Sequence, residues 1–319
     1  MKIGDLQLAN PVLLAPMAGI TDLPYRLIMK RFGAALVFTE MISATGLCYG
    51  GSGSRELLRT DPAEQPLGVQ LFGDDPLRLA EAARQVEAQA AVIDLNCGCP
   101  VRKVVSGGAG SALLRDPARV ARIIAAVRRA TTRPLTIKLR SGWDAQSRNF
   151  LEIARLAVAE GVDAVTLHPR TRAQMFGGRA DWSELATLKG ALPVPVIASG
   201  DLFSADDAHT VLAGIGCDGL MVARGGYGNP WLIQQILARL QGEPAALPTA
   251  SERLAVAREH LDLFVATYGP TRAAAHMRKH LSWYVRGIGH AASFRQQLNQ
   301  VRSVTALHDL LNSFEDTAA

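Results

Sequence analysis

Short β-rich runs alternate with helical stretches almost to residue 241, and this alternation restricts the fold more than any other feature of the chain. The apolar runs are VLLAPMAG (12–19), LVFTEMIS (36–43), LGVQLFG (67–73), AVIDLNCG (91–98), LTIKLRSG (135–142), AVTLHPR (164–170), VPVIASGD (194–201) and GLMVARGG (219–226). Between them lie amphipathic segments such as DPLRLAEAARQVEAQ, with apolar residues at Leu77, Ala80, Ala83 and Val86. Asp or Ser precedes several of these as an N-cap. The stretch 44–66, containing CYGGSGSR, reads as a loop. The alternation predicts an α/β fold, a (β/α)8 TIM barrel, with a repeat of roughly 30 residues. An open doubly wound sheet would more often carry a glycine fingerprint after its first strand, and PMAG is not GxGxxG.

Beyond the barrel, composition marks a second unit. The barrel is expected over 1–241, a linker with two prolines follows over 242–250, and a C-terminal helical domain spans 251–319. Three helices are predicted there: SERLAVAREHLDLFVATYG with Ser251 as N-cap, TRAAAHMRKHLSWYVRGIG, and ASFRQQLNQVRSVTALHDLLNSF. From Leu263 to His308 there is no Asp or Glu, whereas Arg272, Arg278, Lys279, Arg286, Arg295 and Arg302 fall there, with His276, His280, His290 and His308. A one-sign stretch of that length favours a polyanionic partner, because neutralised phosphates release their counterions.

No run of about 18 apolar residues occurs, so no membrane span is expected. The N-terminal MKIGDLQLAN carries no apolar signal region. Four cysteines, only two of them close together, do not make a disulfide framework, and a monomer in the reducing cytoplasm is expected.

In such a barrel, chemistry sits where strands end. That rule selects Pro16, Met17 and Ala18 after the first strand, Thr39 and Glu40 on the second, Gln70 on the third, and Asn96, Cys97 and Cys99 on the fourth. Lys138 and Arg140 lie on the fifth, His168 and Arg170 on the sixth, Ser199, Gly200 and Asp201 on the seventh, and Arg224 on the eighth. The last two strand ends suit a phosphate cradle. Lys138 reads as a Schiff-base amine, as a cation beside an anionic cofactor, or as a side chain that snorkels to the rim. Cys97 belongs to the strand and reads as a structural thiol. Cys99, between Gly98 and Pro100, overhangs the mouth as either a nucleophile or a proton donor. CxC spacing without a second pair does not suit zinc, and no metal ligand set is expected.

Taken together, APMAGITD (15–22), TEM (39–41), VQLFG (69–73), DLNCGCPVRKV (94–104), GGAGSALL (107–114), KLRSGW (138–143), HPRTR (168–172) and PVIASGD (195–201) resemble the tRNA-dihydrouridine synthase family, most of all its bacterial B-type branch. The resemblance implies an FMN enzyme that uses NADPH to reduce the C5–C6 bond of a uridine in tRNA, with Cys99 as the proton donor to C5. It implies FMN contacts at Pro16, Met17, Ala18, Gln70, Lys138, His168, Ser199, Gly200, Asp201, Ala223 and Arg224. Asn96 would hold the uracil edge, and Arg140 and Arg170 would contact substrate. Pro169, Ser199 and Ala223 depart from the family's usual Gly, Asn and Gly. Three alternatives stand beside this reading: a small-molecule flavin oxidoreductase of the dihydroorotate or dihydropyrimidine type, a Schiff-base lyase using Lys138, and a non-catalytic RNA-binding module.

Overall fold

The computed structural model describes residues 1–318. Its parallel strands are β1 (Val12–Leu14), β2 (Val37–Phe38), β3 (Leu67–Phe72), β4 (Val92–Cys97), β5 (Leu135–Arg140), β6 (Ala164–His168), β7 (Val196–Ser199) and β8 (Gly219–Val222). They pair in the order β1-β8-β7-β6-β5-β4-β3-β2. A parallel bridge between Leu13 and Leu36 brings the two ends together. Leu14 N donates to Leu36 O at 2.9 Å and Ala35 N to Val12 O at 2.8 Å across that seam. The expected TIM barrel is therefore the observed fold.

Helices follow most strands, and their starts are written in the sequence. Asp22 caps α1 (Leu23–Arg31) by accepting from Tyr25 N at 3.0 Å. Asp75 caps α2 (Pro76–Val86) and Asp116 caps α3 (Pro117–Ala130), each with proline in the first turn. Helices α4 (Phe150–Ala159), α5 (Ser183–Ala191), α6 (Ala205–His209) and α7 (Trp231–Gln241) complete the outer ring. Their apolar faces and the outward faces of the strands form one large core.

Two segments differ from expectation. The stretch 44–66 is not a plain loop: it folds as short helices Ala44–Cys48 and Ser52–Glu56 and a turn at Pro62–Glu64. The run 36–43 is also broken. Phe38 pairs with Gly68 and Ile42 with Leu71, so four steps on one strand oppose three on the other. That extra residue is a bulge, which re-aims side chains. Thr39 lies in it, with N–H bonded to Gly68 O at 2.9 Å and Oγ1 accepting from Gln70 N at 3.2 Å.

The tail comprises α8 (Ala250–Tyr268), α9 (Pro270–Tyr284), α10 (Ala291–Leu298) and α11 (Val304–Ala318). The N-cap of α8 is Thr249, not Ser251, because a start at Thr249 puts Glu252 where it closes a capping box. The third predicted helix is two: Ser303 Oγ accepts from Ala306 N at 3.2 Å and begins a new one after the polar run Asn299–Gln300. The tail's core includes Leu254, Phe264, Met277 and Leu281, and it borrows Ile28, Phe32 and Trp231 from the barrel's outer helices. Among the described residues no helix is long and apolar enough to cross a membrane.

At the barrel's base, Phe38 occupies the space over Gly68, where a Cβ would overlap its ring. Both residues are fully packed inside. Gly68→Ala is expected to cost about 1–3 kcal/mol in urea unfolding, and the further change Phe38→Leu is expected to recover part of that loss.

Candidate active site

Alternation along β3, β4 and β5 directs Gln70, Asp94, Asn96, Thr136 and Lys138 inward, and register sets them side by side: Gln70 opposite Asp94, Asp94 opposite Thr136, Asn96 opposite Lys138. Above them opens a cavity of about 320 Å³, within the range of cofactor pockets. Its wall carries Pro16, Met17, Ala18, Gln70, Asn96, Cys99, Lys138, Arg140, His168, Ser199, Gly200, Asp201, Ala223 and Arg224. Of the residues selected at strand ends, Thr39, Glu40, Cys97 and Arg170 are not on that wall.

Arg170 is 2% exposed and wholly engaged. Its guanidinium holds Asp201 in a fork at 2.8 and 2.7 Å and donates to Gly177 O at 3.1 Å and Gly178 O at 2.7 Å. This corrects the expectation of a substrate contact: Arg170 braces the seventh strand end from behind. Asp201 also accepts from Ala180 N at 2.8 Å and Arg224 at 3.2 Å. Burial raises the Asp201 carboxyl, but these hydrogen bonds and the two guanidinium charges outweigh it and hold the group below the usual carboxylate range. Gly200 has φ +100°, and a Cβ there would meet the His168 ring, so glycine is required at that point of the cradle.

Asn96 is held from two sides. Its Oδ1 accepts from Gly98 N at 3.2 Å and Cys99 N at 2.9 Å, and its Nδ2 donates to Gln70 Oε1 at 2.7 Å. Gln70 Nε2 in turn donates to Asp94 Oδ2 at 2.6 Å, and Thr136 Oγ1 donates to Asp94 Oδ1 at 2.6 Å. The amide thus fixes the Cys99 loop from the cavity wall. The loop is pinned from two other sides. Ser111 N donates to Cys99 O at 3.0 Å, and Arg140 Nε donates to Gly98 O at 3.0 Å. Asp94 and Thr136 were not singled out in the sequence, although the i, i+2 relation of Asp94 to Asn96 is a readable sign that both face inward.

The two cysteines lie in different surroundings. Cys97 is 1% exposed and its thiol is pushed up by burial and by Asp94. Cys99 faces the cavity. Burial raises its thiol, while a backbone hydrogen bond from Val101 and the charges of Arg140 and Lys138 pull the other way without reversing the shift. The group is therefore a thiol, not a thiolate, at neutral pH. Burial, with Arg140 nearby, lowers Lys138 to about 8. Burial and the cations around it hold His168 well below the ordinary imidazole range, hence neutral.

Aromatic residues missed in the sequence line the rim. Phe176 lies 5.4 Å from the Arg140 guanidinium and 4.8 Å from that of Arg224. Tyr227 stacks on Trp283 of α9 at 4.2 Å, which joins the mouth to the tail.

The family model for dihydrouridine synthase matches residues 13–319. A probable tRNA-dihydrouridine synthase of Rickettsia prowazekii is 40% identical over 319 residues, covering 98% of this chain and 97% of its own. The tRNA-dihydrouridine synthase B of Pseudomonas aeruginosa is 40% identical over 308 residues, covering 96% and 93%. Among solved structures, the 6-hydroxypseudooxynicotine amine oxidase of Pseudomonas geniculata superposes with TM-score 0.60 at 13% identity, over 82% of this chain and 52% of that one. A 2-naphthoyl-CoA reductase superposes with TM-score 0.59 at 14% identity, over 76% and 52%. These two likenesses concern the fold alone.

Asn96→Ala removes the acceptor for two backbone N–H groups and the donor to Gln70. It is expected to lower stability by about 1–3 kcal/mol in urea, whereas Arg140→Lys, which keeps a donor near Gly98 O, is expected to cost less than Asn96→Ala in the same assay.

Proposed function

The chain belongs to the dihydrouridine synthase family, and its activity is the reduction of uridine in tRNA; on that premise we propose that it does so with bound FMN, with NADPH as the reductant, and with Cys99 as the proton donor. The observation that carries the assignment is the Cys99 thiol, kept protonated by burial and pinned over the same cavity that Lys138 enters from below.

The residues present fit a flavin mononucleotide. Pro16, Met17 and Met221 give the cavity an apolar wall for a flat ring system. Lys138 supplies a positive charge in a low dielectric, where it is worth most to an anionic ring. Gly200, with the turn Arg224–Gly226, offers a backbone cradle, and the partly exposed Arg224 guanidinium adds charge for a phosphate. Asp201 contributes as a brace for Arg224, since its carboxylate is already shared between two guanidinium groups. FMN, when bound, supplies the hydride that reaches C6 of the uracil.

Cys99 then gives its proton to C5. Its pinned backbone limits the thiol to a small arc, which lowers the entropic cost of proton transfer. His168 is neutral, so it does not compete as an acid at that place. The Schiff-base alternative for Lys138 is disfavoured by the family relation, and the small-molecule alternative leaves the tail's cations without a role.

The base must leave its stack to enter the mouth. On the tail, Arg286, Arg295 and Arg302 are exposed and stand ready for phosphates. Arg272 pairs with Glu56, and Lys279 donates to Gly19 O, so these two cations hold the tail to the barrel. The linker and tail, 242–319, are thus proposed as the RNA-positioning part.

Cys99→Ala is expected to purify yellow, bind tRNA and lose about 10²–10⁴-fold in dihydrouridine formation, while Cys97→Ala stays largely active; the exchanged outcome would move the acid to Cys97. For wild type, the rate should fall as pH rises past the Lys138 value of about 8, because the ammonium loses its proton there and the thiol follows. A decline on the acid side near neutral pH would assign a titrating role to His168 instead. The triple variant Arg286→Ala, Arg295→Ala, Arg302→Ala is expected to weaken tRNA binding and to reduce the salt slope by about one per lost phosphate contact.

A further inference from the structure

Three residues that no step above uses converge between the first loop of the mouth and the tail. His276 and His280 stand four apart on α9, a spacing that places two side chains on one helical face. Both look onto Asp22, the N-cap of α1. One donor atom from each of the three lies within 4.8 Å of the other two. Asp22 is 5% exposed and His280 1%. Among the described residues, Asp22 Oδ2, His276 Nε2 and both ring nitrogens of His280 have no hydrogen-bond partner. Asp22 Oδ2 and His276 Nε2 are 3.0 Å apart, yet without the angles of a hydrogen bond. Each unpaired buried polar group costs about 1–3 kcal/mol, so something must satisfy them together.

We propose that Asp22, His276 and His280 bind one zinc ion, with water in the fourth position. Two imidazoles and one carboxylate are a zinc donor set, whereas calcium and magnesium take oxygen ligands throughout. Aromatic rings shield the His280 side, while the partly exposed His276 leaves room for the water. The Tyr25 ring lies 5.6 Å and the His260 ring 4.8 Å from that of His280. Burial keeps the His280 ring uncharged, the form that coordinates a metal. Charge is arranged around it as well: Glu40 accepts from Gly19 N and Lys279 donates to Gly19 O. Two carboxyl groups, Asp22 and Glu40, thus face one ammonium. Zinc there ties α9 to the start of α1, directly behind the loop that carries Pro16, Met17 and Ala18 into the cavity. The expectation of no metal rested on the cysteines, and this ligand set uses none of them. Asp22 lies so far from the two histidines in sequence that only the fold assembles it with them.

The test uses untagged full-length protein, stripped with a chelator and titrated with Zn²⁺ alone and, separately, with Co²⁺ alone. One equivalent of either metal is expected, cobalt showing the visible bands of a four-coordinate site. Asp22→Asn keeps a side-chain oxygen for Tyr25 N and therefore keeps the helix cap; it is expected to weaken zinc about tenfold or more. A Cys97→Ala, Cys99→Ala double variant is expected to keep full metal uptake. Stripped wild type that takes up neither metal overturns the proposal and leaves buried water as the partner of these atoms. Uptake undiminished in Asp22→Asn, or lost in the cysteine variant, overturns it equally.

Discussion

A carboxyl group sealed inside a barrel has to be satisfied, and Asp94 is fully buried. Its two oxygens take the Thr136 hydroxyl and the Gln70 amide, each at 2.6 Å. Everything above follows from that. Because Gln70 turns its N–H side down, its oxygen faces Asn96, and the Asn96 oxygen is left to receive the two N–H groups of the Cys99 loop. The relay assigns each amide one orientation, and it sets the loop's height above the cavity. Burial pushes the Asp94 carboxyl up, and the donors from Thr136 and Gln70 work against that shift, so the relay and the ionised state support one another.

The mouth is a case in which burial and charge compete, and burial wins where chemistry needs it to. Arg140 and Lys138 would by themselves favour a thiolate at Cys99 and would spoil the proposed proton donor. The desolvation of a thiol set below the rim is larger than their pull. The same desolvation brings Lys138 into the range where an anion alongside decides its charge. Arg170 and Asp201 resolve the remaining crowding of cations by pairing off behind the wall. The tail completes the mouth from outside through Trp283 on Tyr227 and Lys279 on Gly19.

Much of this was legible in the sequence, and the reasons for the rest are physical. Strand positions and the identity of the wall follow from hydrophobic period and from the rule that barrel chemistry sits at strand ends, and these need no long-range information. Side-chain partners are another matter. Asn96 and Arg170 are polar residues at strand ends like the others, yet their partners, Cys99 N and Asp201, are contacts that register and loop path decide. The bulge at Thr39–Met41 is set by tertiary pairing with β3, and the short helices of 44–66 carry only weak local signals. The acid-free stretch reads as one basic face, but His280 and Lys279 turn inward on the helical period, whereas Arg272, Arg286, Arg295 and Arg302 are exposed, Arg272 being paired with Glu56.

The proposed chemistry depends on a protonated sulfhydryl at residue 99, fixed in place by neutral hydrogen bonds. Alkylation of that residue by iodoacetamide, followed peptide by peptide across a pH series, titrates it directly. A midpoint above the free-thiol value of about 8.5 is the predicted result. A midpoint below about 7.5 would mean that the neighbouring cations prevail over burial, that residue 99 is a thiolate when uridine arrives, and that the proton comes from elsewhere.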